Sequence, residues 1–295
     1  MNLPDSALRL CELGPDDSAV LLALSDAVDW DFTPGDFATA FAGGRLCGHK
    51  DAGGRLVSAA GIFGYGPALA WVGIVMVHPA MQRRGLGRAV MQWCHDVRPE
   101  PEAVTVLIAT TEGERLYEPL GYRTVERVYK AFAPAPIDAA GWSPGEGLRV
   151  EPLRVGSVAD DVLAHCVALD RAACGGEREA FLRARIAQAT QGLLLRDDGG
   201  RPRGYLLGVP RESYLTVGPL VAPDARAAAA LIAALGAGHR GQLRIDVPCE
   251  KADLTGLLPE LGFVLDSTPP VMTLDGRPLP GGWPGYYAIS AQAFG

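Results

Sequence analysis

The feature that most constrains the fold is an internal repeat that spans almost the whole chain. Val77-His78-Pro79 recurs 144 positions later as Val221-Ala222-Pro223, and the segment at 116–122 (LYEPLGY) recurs 141 positions later at 257–263 (LLPELGF). Each copy shows the same succession of apolar strand patterns and amphipathic helix patterns. The sequence therefore predicts two tandem copies of one α/β fold, each a mixed sheet flanked by helices.

A stretch rich in Pro, Gly and Ala separates the two copies. We expect a first domain at 1–132, a linker at 133–147 and a second domain at 148–295. In the first domain the patterns predict strands near 8–13, 45–51, 55–65, 69–78, 104–110 and 122–132, and helices near 16–30, 34–43, 85–97 and 113–120. In the second they predict strands near 148–154, 192–196, 203–221, 242–247 and 263–274, and helices within 158–190 and near 224–236 and 252–261.

Charge and cysteine spacing exclude several classes of function. The net charge of −7 and the lack of a basic arm argue against a nucleic-acid partner. The six cysteines are dispersed and form no C-x-x-C pair, so we expect no metal site and a reducing, cytoplasmic location. Residues 1–6 lack the pattern of a signal peptide, and no apolar run is long enough to span a membrane.

The segment at 77–88 (VHPAMQRRGLGR) has the pattern of an anion-binding site. A wholly apolar strand ends at Val77, and a helix begins near two glycines, Gly85 and Gly87, with three arginines close by. The first N–H groups of a helix have no partner within the helix, and its dipole favours negative charge there. Glycine leaves the backbone open to a phosphate, and arginine forms charge-assisted hydrogen bonds to phosphate oxygens.

This segment resembles motif A of the GNAT superfamily of N-acetyltransferases, with the signature Gln/Arg-x-x-Gly-x-Gly/Ala at 82–87 (QRRGLG). Residues 110–122 (TTEGERLYEPLGY) are similar to the motif B region of that family. The resemblance covers about 8–132 by motif, and the tandem arrangement resembles a two-domain bacterial subgroup. It implies an acetyl-CoA pyrophosphate held by the following residues: Gln82, Arg83, Arg84, Gly85, Leu86, Gly87 and Arg88.

The same resemblance implies roles for the neighbouring residues in the reaction. Backbone N–H groups near Val75 and Val77 would polarise the thioester carbonyl, and Tyr117 would return a proton to the leaving thiolate. Tyr117 could instead only pack in the core. Glu112 is a candidate general base, although a carboxylate at a helix start is commonly a solvated group.

The resemblance also implies that the first two helices and their connection border the acceptor mouth, and this segment carries an unusual run of acids. Between Leu10 and Gly44 there are seven acidic residues and no Lys or Arg. Such a run beside a cleft attracts cations, whereas a solvated helix face would have the same composition. Asp29 and Asp31, with the aromatic residues Trp30, Phe32 and Tyr65, are the candidate acceptor contacts, and the aromatic residues could equally fill core space.

The second copy has lost the chemical signatures. Counterparts of Gln82, Gly85, Gly87 and Tyr117 are Arg226, Ala229, Leu231 and Leu258. We therefore expect this domain to keep the fold without binding CoA, and the aromatic stretch at 283–287 to pack against another part of the chain.

The resemblance implies an N-acetyltransferase that transfers an acetyl group from acetyl-CoA to a small primary amine in a ternary complex, and the run of acids predicts that this amine is cationic. The sequence leaves the oligomeric state open, with a homodimer as one alternative. A non-catalytic acyl-CoA sensor is the main alternative, and a nucleotide-binding protein is disfavoured because no P-loop lysine is present.

Overall fold

A computed structural model describes residues 8–295. The first seven residues, with the predicted start of the first domain and the segment tested for a signal peptide, lie outside the described residues. The first copy contains, in order, β1 (Arg9–Leu13), α1 (Ser18–Ala27), α2 (Pro34–Gly43), β2 (Arg45–Lys50), β3 (Leu56–Tyr65), β4 (Leu69–Val77), α3 (Leu86–Asp96), β5 (Val104–Ile108), α4 (Thr111–Tyr117) and β6 (Tyr122–Ala135).

The second copy follows the same order. It contains β7 (Leu148–Pro152), α5 (Asp160–Cys174), α6 (Glu179–Gln188), β8 (Gln191–Asp197), β9 (Pro202–Pro210), β10 (Tyr214–Val221), α7 (Ala225–Ala237), β11 (Gly241–Pro248), α8 (Ala252–Thr255), β12 (Val264–Ser267), β13 (Pro270–Leu274) and β14 (Tyr286–Ala288). Three predictions need correction. The stretch at 203–221 forms two strands, the stretch at 263–274 is also divided in two, and β6 continues to Ala135, beyond the predicted end of that strand at 132.

The predicted α/β class with a mixed sheet is confirmed. The strand order is β1-β2-β3-β4-β5-β13-β6-β11-β10-β9-β8-β7, with β12 also on β6 and β14 also on β10. The pairs β4–β5 and β10–β11 are parallel, and their neighbours along the sheet are antiparallel. The chain thus forms one continuous sheet across both copies.

The two copies exchange strands at the centre of this sheet. β13, from the second half of the chain, lies between β5 and the beginning of β6 and pairs with both. The end of β6 lies in the second half of the sheet, where it pairs with β11 and β12. Each half of the sheet is therefore completed by a strand from the other copy.

Helices cover both faces of the first half of the sheet. α1 and α2 pack on one face, and α2 also packs on α6 of the second copy. α3 covers the opposite face and buries Leu86, Val90, Met91 and Cys94, as its amphipathic pattern predicts. Within residues 8–295, no helix is both long enough and apolar enough to cross a bilayer.

Candidate functional site

The site begins where β4 separates from β5. The two strands pair only as far as Trp71 and Val106. Beyond that point β4 carries one extra residue relative to β3, because Gly73 pairs with Gly61 and Met76 with Ala59. Ile74 has a φ of 57°, the left-handed conformation that a β-branched side chain rarely adopts. This bulge bends β4 away from β5 and opens a cleft between them.

The bulge leaves the N–H groups of Val75 and Val77 on the cleft side. The His78 N–H donates to the Val57 carbonyl of β3 at 2.9 Å. Successive N–H groups of a strand point to opposite sides, so those of Val77 and Val75 point away from β3. Among the described residues, no strand pairs with this edge of β4 beyond Trp71. The edge can therefore donate hydrogen bonds to a ligand.

The loop after β4 leads directly to the start of α3. Two of its residues, Arg83 and Gly85, have positive φ values of 61° and 79°. The first helical hydrogen bond runs from the Ala89 N–H to the Gly85 carbonyl, and no described side chain caps the helix. The N–H groups of Leu86, Gly87 and Arg88 are therefore available to an anion, and the helix dipole favours negative charge there.

Different structural features explain why glycine occurs at positions 85 and 87 of this loop. A Cβ on Gly85 would meet nothing within 4 Å, so the positive φ explains this glycine and the space above it is open. A Cβ on Gly87 would lie 3.1 Å from the Leu116 side chain of α4. Gly87 therefore allows close packing between α3 and α4, a reason for glycine that is separate from access of a phosphate to the backbone.

Charged side chains surround the helix start. Gln82, Arg83 and Arg88 are exposed, and Leu86 anchors the helix in the core. Arg84 is half-buried, and its Nη1 lies 3.3 Å from the Met81 sulfur. These residues can bring charge-assisted hydrogen bonds to a pyrophosphate held by the backbone.

Tyr117 and Glu112 lie on α4, on the α3 face of the sheet. Tyr117 is buried with its ring 6.0 Å from that of Tyr122, edge to face. Burial raises the pKa of the Tyr117 phenol well above its ordinary value, so the hydroxyl keeps its proton at neutral pH. Glu112 is exposed in the first turn of α4, where the Thr110 hydroxyl accepts a hydrogen bond from the Gly113 N–H. The structure therefore gives Glu112 the solvated environment that the sequence analysis left open.

Four of the five predicted acceptor contacts, at 29–32, lie in the connection between α1 and α2, and the fifth, Tyr65, ends β3. Asp29 is exposed, and Trp30 packs edge to face on Phe32 at 5.8 Å. The Asp31 carboxylate accepts a hydrogen bond from the Tyr214 hydroxyl. Tyr65 differs from the other candidates, because it is buried and its hydroxyl donates to the Phe294 carbonyl at 2.8 Å. Tyr65 thus packs in the core.

Three of the seven acids of this segment form ion pairs with basic residues. Glu12 and Asp17 form ion pairs with Arg45 and Lys50. Asp36 is fully buried between two arginines of the second copy, Arg185 at 3.1 Å and Arg211. Burial alone would raise the pKa of Asp36, but the two guanidinium charges lower it below its ordinary value. Asp36 therefore joins the two copies instead of facing an acceptor.

Comparison with known proteins places this architecture in a family. Two GNAT acetyltransferase domain models match the chain, at 43–124 and at 166–288. The uncharacterized N-acetyltransferase YitH of Bacillus subtilis is 31% identical over 303 residues, and the match covers all of both chains. The chain belongs to the GNAT acetyltransferase family.

Solved structures show the same fold over the whole chain. A putative acetyltransferase from Pyrococcus horikoshii has a TM-score of 0.76 at 22% identity, covering 100% of this chain and 98% of its own. A tandem GNAT protein from the clavulanic acid biosynthesis pathway has a TM-score of 0.61 at 14% identity, covering 92% and 99%. The recognition of a tandem GNAT acetyltransferase from its motifs is thus confirmed.

The second GNAT copy differs from the first at the equivalent cleft. β10 and β11 pair only over 214–217 and 242–245. β14 then pairs with β10 through Leu220–Ala288 and Val221–Tyr286, while the other side of β10 pairs with β9. The chain itself fills the gap between β10 and β11. In addition, the α7 residues Ala229 and Leu231 are fully buried.

Of the residues behind the β4 bulge, sequence patterns singled out only the aromatic stretch at 283–287, which packs against the first copy as expected, and not Trp71, Gly73 or Ala293. Trp71 stacks on Trp283 with ring centroids 6.4 Å apart, and a Cβ on Gly73 would lie 2.0 Å from the Ala293 carbonyl oxygen. A glycine inside an apolar strand is itself a signal for a bulge or a close backbone approach, so Gly73 could have been found. Its partner at residue 293 could not, because more than two hundred residues separate the two.

Proposed function

We propose that the first copy of this GNAT protein transfers an acetyl group from acetyl-CoA to a primary amine within a ternary complex. The observation that carries the proposal is the contrast between the two clefts. In the first copy an unpaired strand edge lies beside an uncapped helix start, whereas in the second copy β14 covers the equivalent edge. A ligand with an extended arm joined to a pyrophosphate fits the first arrangement.

In this proposal the donor is held by backbone groups. Its pyrophosphate contacts the N–H groups of Leu86, Gly87 and Arg88, with charge supplied by Arg83 and Arg88. Its extended arm lies along the β4 edge and accepts a hydrogen bond from the Val77 N–H, which leaves the Val75 N–H for the thioester carbonyl. The arm thereby brings the thioester into the cleft at the bulge.

The reaction follows from the groups that face the thioester. The amine nitrogen loses a proton to a base or to water and attacks the carbonyl carbon. The Val75 N–H stabilises the negative charge that develops on the carbonyl oxygen. When the carbon–sulfur bond breaks, the Tyr117 hydroxyl gives its proton to the thiolate, and the Tyr117 oxygen then recovers a proton from water.

The acceptor in this proposal is a small cationic amine. Asp29 and Asp31 are the exposed carboxylates next to the aromatic pair Trp30 and Phe32. Because Asp36 is already paired with arginine, selection for positive charge depends on the other two carboxylates. An ammonium group can contact both a carboxylate and an aromatic face at this position.

The test combines a binding and a rate measurement on two tyrosine variants. Tyr117→Phe should lower kcat about 100-fold and leave CoA affinity unchanged, since only the proton donor is lost. Tyr129→Phe, a half-buried tyrosine that packs on the core of the second copy, is the matched control and should keep wild-type kcat. If CoA binds but no amine in a broad panel stimulates thiol release, the chain is an acyl-CoA sensor and the proposal is wrong.

A further inference from the structure

The segment at 286–295 joins the filled cleft of the second copy to the open cleft of the first. β14 occupies the gap beside β10, and the Ile289 N–H then donates to the Asp246 carbonyl of β11 at 3.0 Å. The segment is held further along by the second copy: the Gln292 amide donates to the Asp246 carboxylate at 2.7 Å, and Arg185 donates to the Ser290 carbonyl at 2.8 Å. It is therefore a fixed part of the second copy.

The same segment presents its carbonyl groups to β3 and β4 of the first copy. The Trp71 Nε1–H donates to the Gln292 carbonyl at 3.2 Å. The Tyr65 hydroxyl donates to the Phe294 carbonyl at 2.8 Å. Between these two contacts, the Ala293 carbonyl lies so close to Gly73 that a Cβ there would be 2.0 Å away. Only glycine allows this approach.

These contacts reach β4 at Trp71 and Gly73, just before its bulge. Trp71 is the last residue of β4 that pairs with β5, and Gly73 directly precedes Ile74. A β-branched residue in the left-handed conformation costs energy and persists only where its surroundings fix it. The segment supplies such surroundings on the face of β4 opposite α3, where Trp71, Phe294 and Trp283 share one core.

We propose that the segment at 286–295 holds the β4 bulge in the shape that directs the Val75 N–H into the cleft, which makes Trp71 and Gly73 positioning residues for acetyl transfer. This inference rests on the function proposed above. The second copy would then contribute to catalysis without binding a cofactor, because it anchors the segment that fixes the oxyanion-stabilising N–H. The helix start that holds the pyrophosphate lies outside these contacts.

Three variants of the full chain test this role. Gly73→Ala forces the Ala293 carbonyl to move, Trp71→Phe removes one hydrogen-bond donor but keeps an aromatic ring, and Gln292→Ala removes the anchor to Asp246. Gly192→Ala is the matched control, because its Cβ would lie 2.7 Å from the Val155 side chain in the second copy, away from the segment. Trp71→Phe keeps the test valid if Gly73→Ala does not fold.

Two readouts are measured on each variant: steady-state kinetics and amide hydrogen exchange of the backbone at 74–77. In Trp71→Phe and Gly73→Ala we expect kcat to fall about 10-fold or more, with acetyl-CoA affinity within about twofold of wild type. Exchange at 74–77 should rise at least about fivefold in both, and Gln292→Ala should change both readouts in the same direction. Gly192→Ala should change neither.

The outcomes separate this inference from the proposed function. Folded Trp71→Phe and Gly73→Ala proteins with wild-type kcat overturn the inference, as does a loss of kcat without a change in exchange at 74–77. If the wild-type chain transfers no acetyl group to any amine, the proposed function fails. The exchange measurement then still decides whether the segment holds the bulge.

Discussion

Gly85 offers the sharpest test of the pyrophosphate site, through the substitution Gly85→Asn. This residue has a φ of 79°, and a Cβ built on it would meet no atom within 4 Å. Asparagine enters the left-handed region more easily than other residues with a side chain. A valine would confound the test, because a β-branched residue at positive φ is strained by itself. Asparagine thus places a side chain in the open space above the helix start while the loop keeps its shape.

The expected magnitude follows from the two effects of this substitution. The left-handed conformation should lower the free energy of unfolding by about 1 kcal/mol or less. A side chain in the space required by a phosphate should weaken CoA binding at least tenfold, which is about 1.4 kcal/mol. The loss of affinity should therefore exceed the loss of stability.

Gly262→Asn is the matched control. Gly262 has a φ of 82° and also has nothing within 4 Å of a Cβ, but it lies in the second copy. Thermal unfolding should show similar small losses of stability for both variants. Titration calorimetry with CoA should show weaker binding for Gly85→Asn alone. A folded Gly85→Asn protein with wild-type CoA affinity would refute the assignment of this loop, and an equal loss of affinity in both variants would refute the steric reasoning.

Three further predictions concern stoichiometry, interdomain charge and acceptor charge. Calorimetry should give one CoA per chain, because β14 fills the second cleft; two equivalent sites would contradict this. Asp36→Asn should lower the free energy of unfolding by about 3–5 kcal/mol, because it leaves two guanidinium groups without their buried partner, whereas the exposed Asp29→Asn should change it little. Because the pKa of Asp36 is lowered in the folded state, the stabilisation by its carboxylate should be complete above about pH 4 and lost only as the pH falls further. Denaturant unfolding at a series of pH values should therefore show that the free energy of unfolding falls less steeply at acid pH in Asp36→Asn than in the wild type. Cationic amines should be the best acceptors, with an advantage that shrinks from about 0.05 to about 0.5 M salt and in the double variant Asp29→Asn, Asp31→Asn; a screen in which acidic amino acids give the highest kcat/KM would contradict this.

Local signals in the sequence were sufficient for the parts of the site that lie on one continuous stretch. The apolar strand, the glycines and arginines of the loop and the amphipathic helix follow one another within 69–97, so composition and period alone indicate strand, turn and helix start. Comparing the two copies position by position likewise shows the internal repeat and shows that the second copy has no counterparts of Gly85 and Tyr117. The family follows from these motifs.

Only the tertiary structure decided what crosses between distant segments. The exchange of β6 and β13, the filling of the second cleft by β14 and the contact of Ala293 with Gly73 all join residues far apart in the chain. The acids before residue 44 have no basic residue near them in the sequence and would be expected to be unpaired. In the structure, however, Asp36 forms ion pairs with Arg185 and Arg211, which lie about 150 or more positions later. The residues next to a strand edge or a carboxylate do not indicate which distant segment will pair with it. Any segment of suitable pattern can form the hydrogen bonds or the ion pair. The choice among such partners is made by packing of the whole molecule.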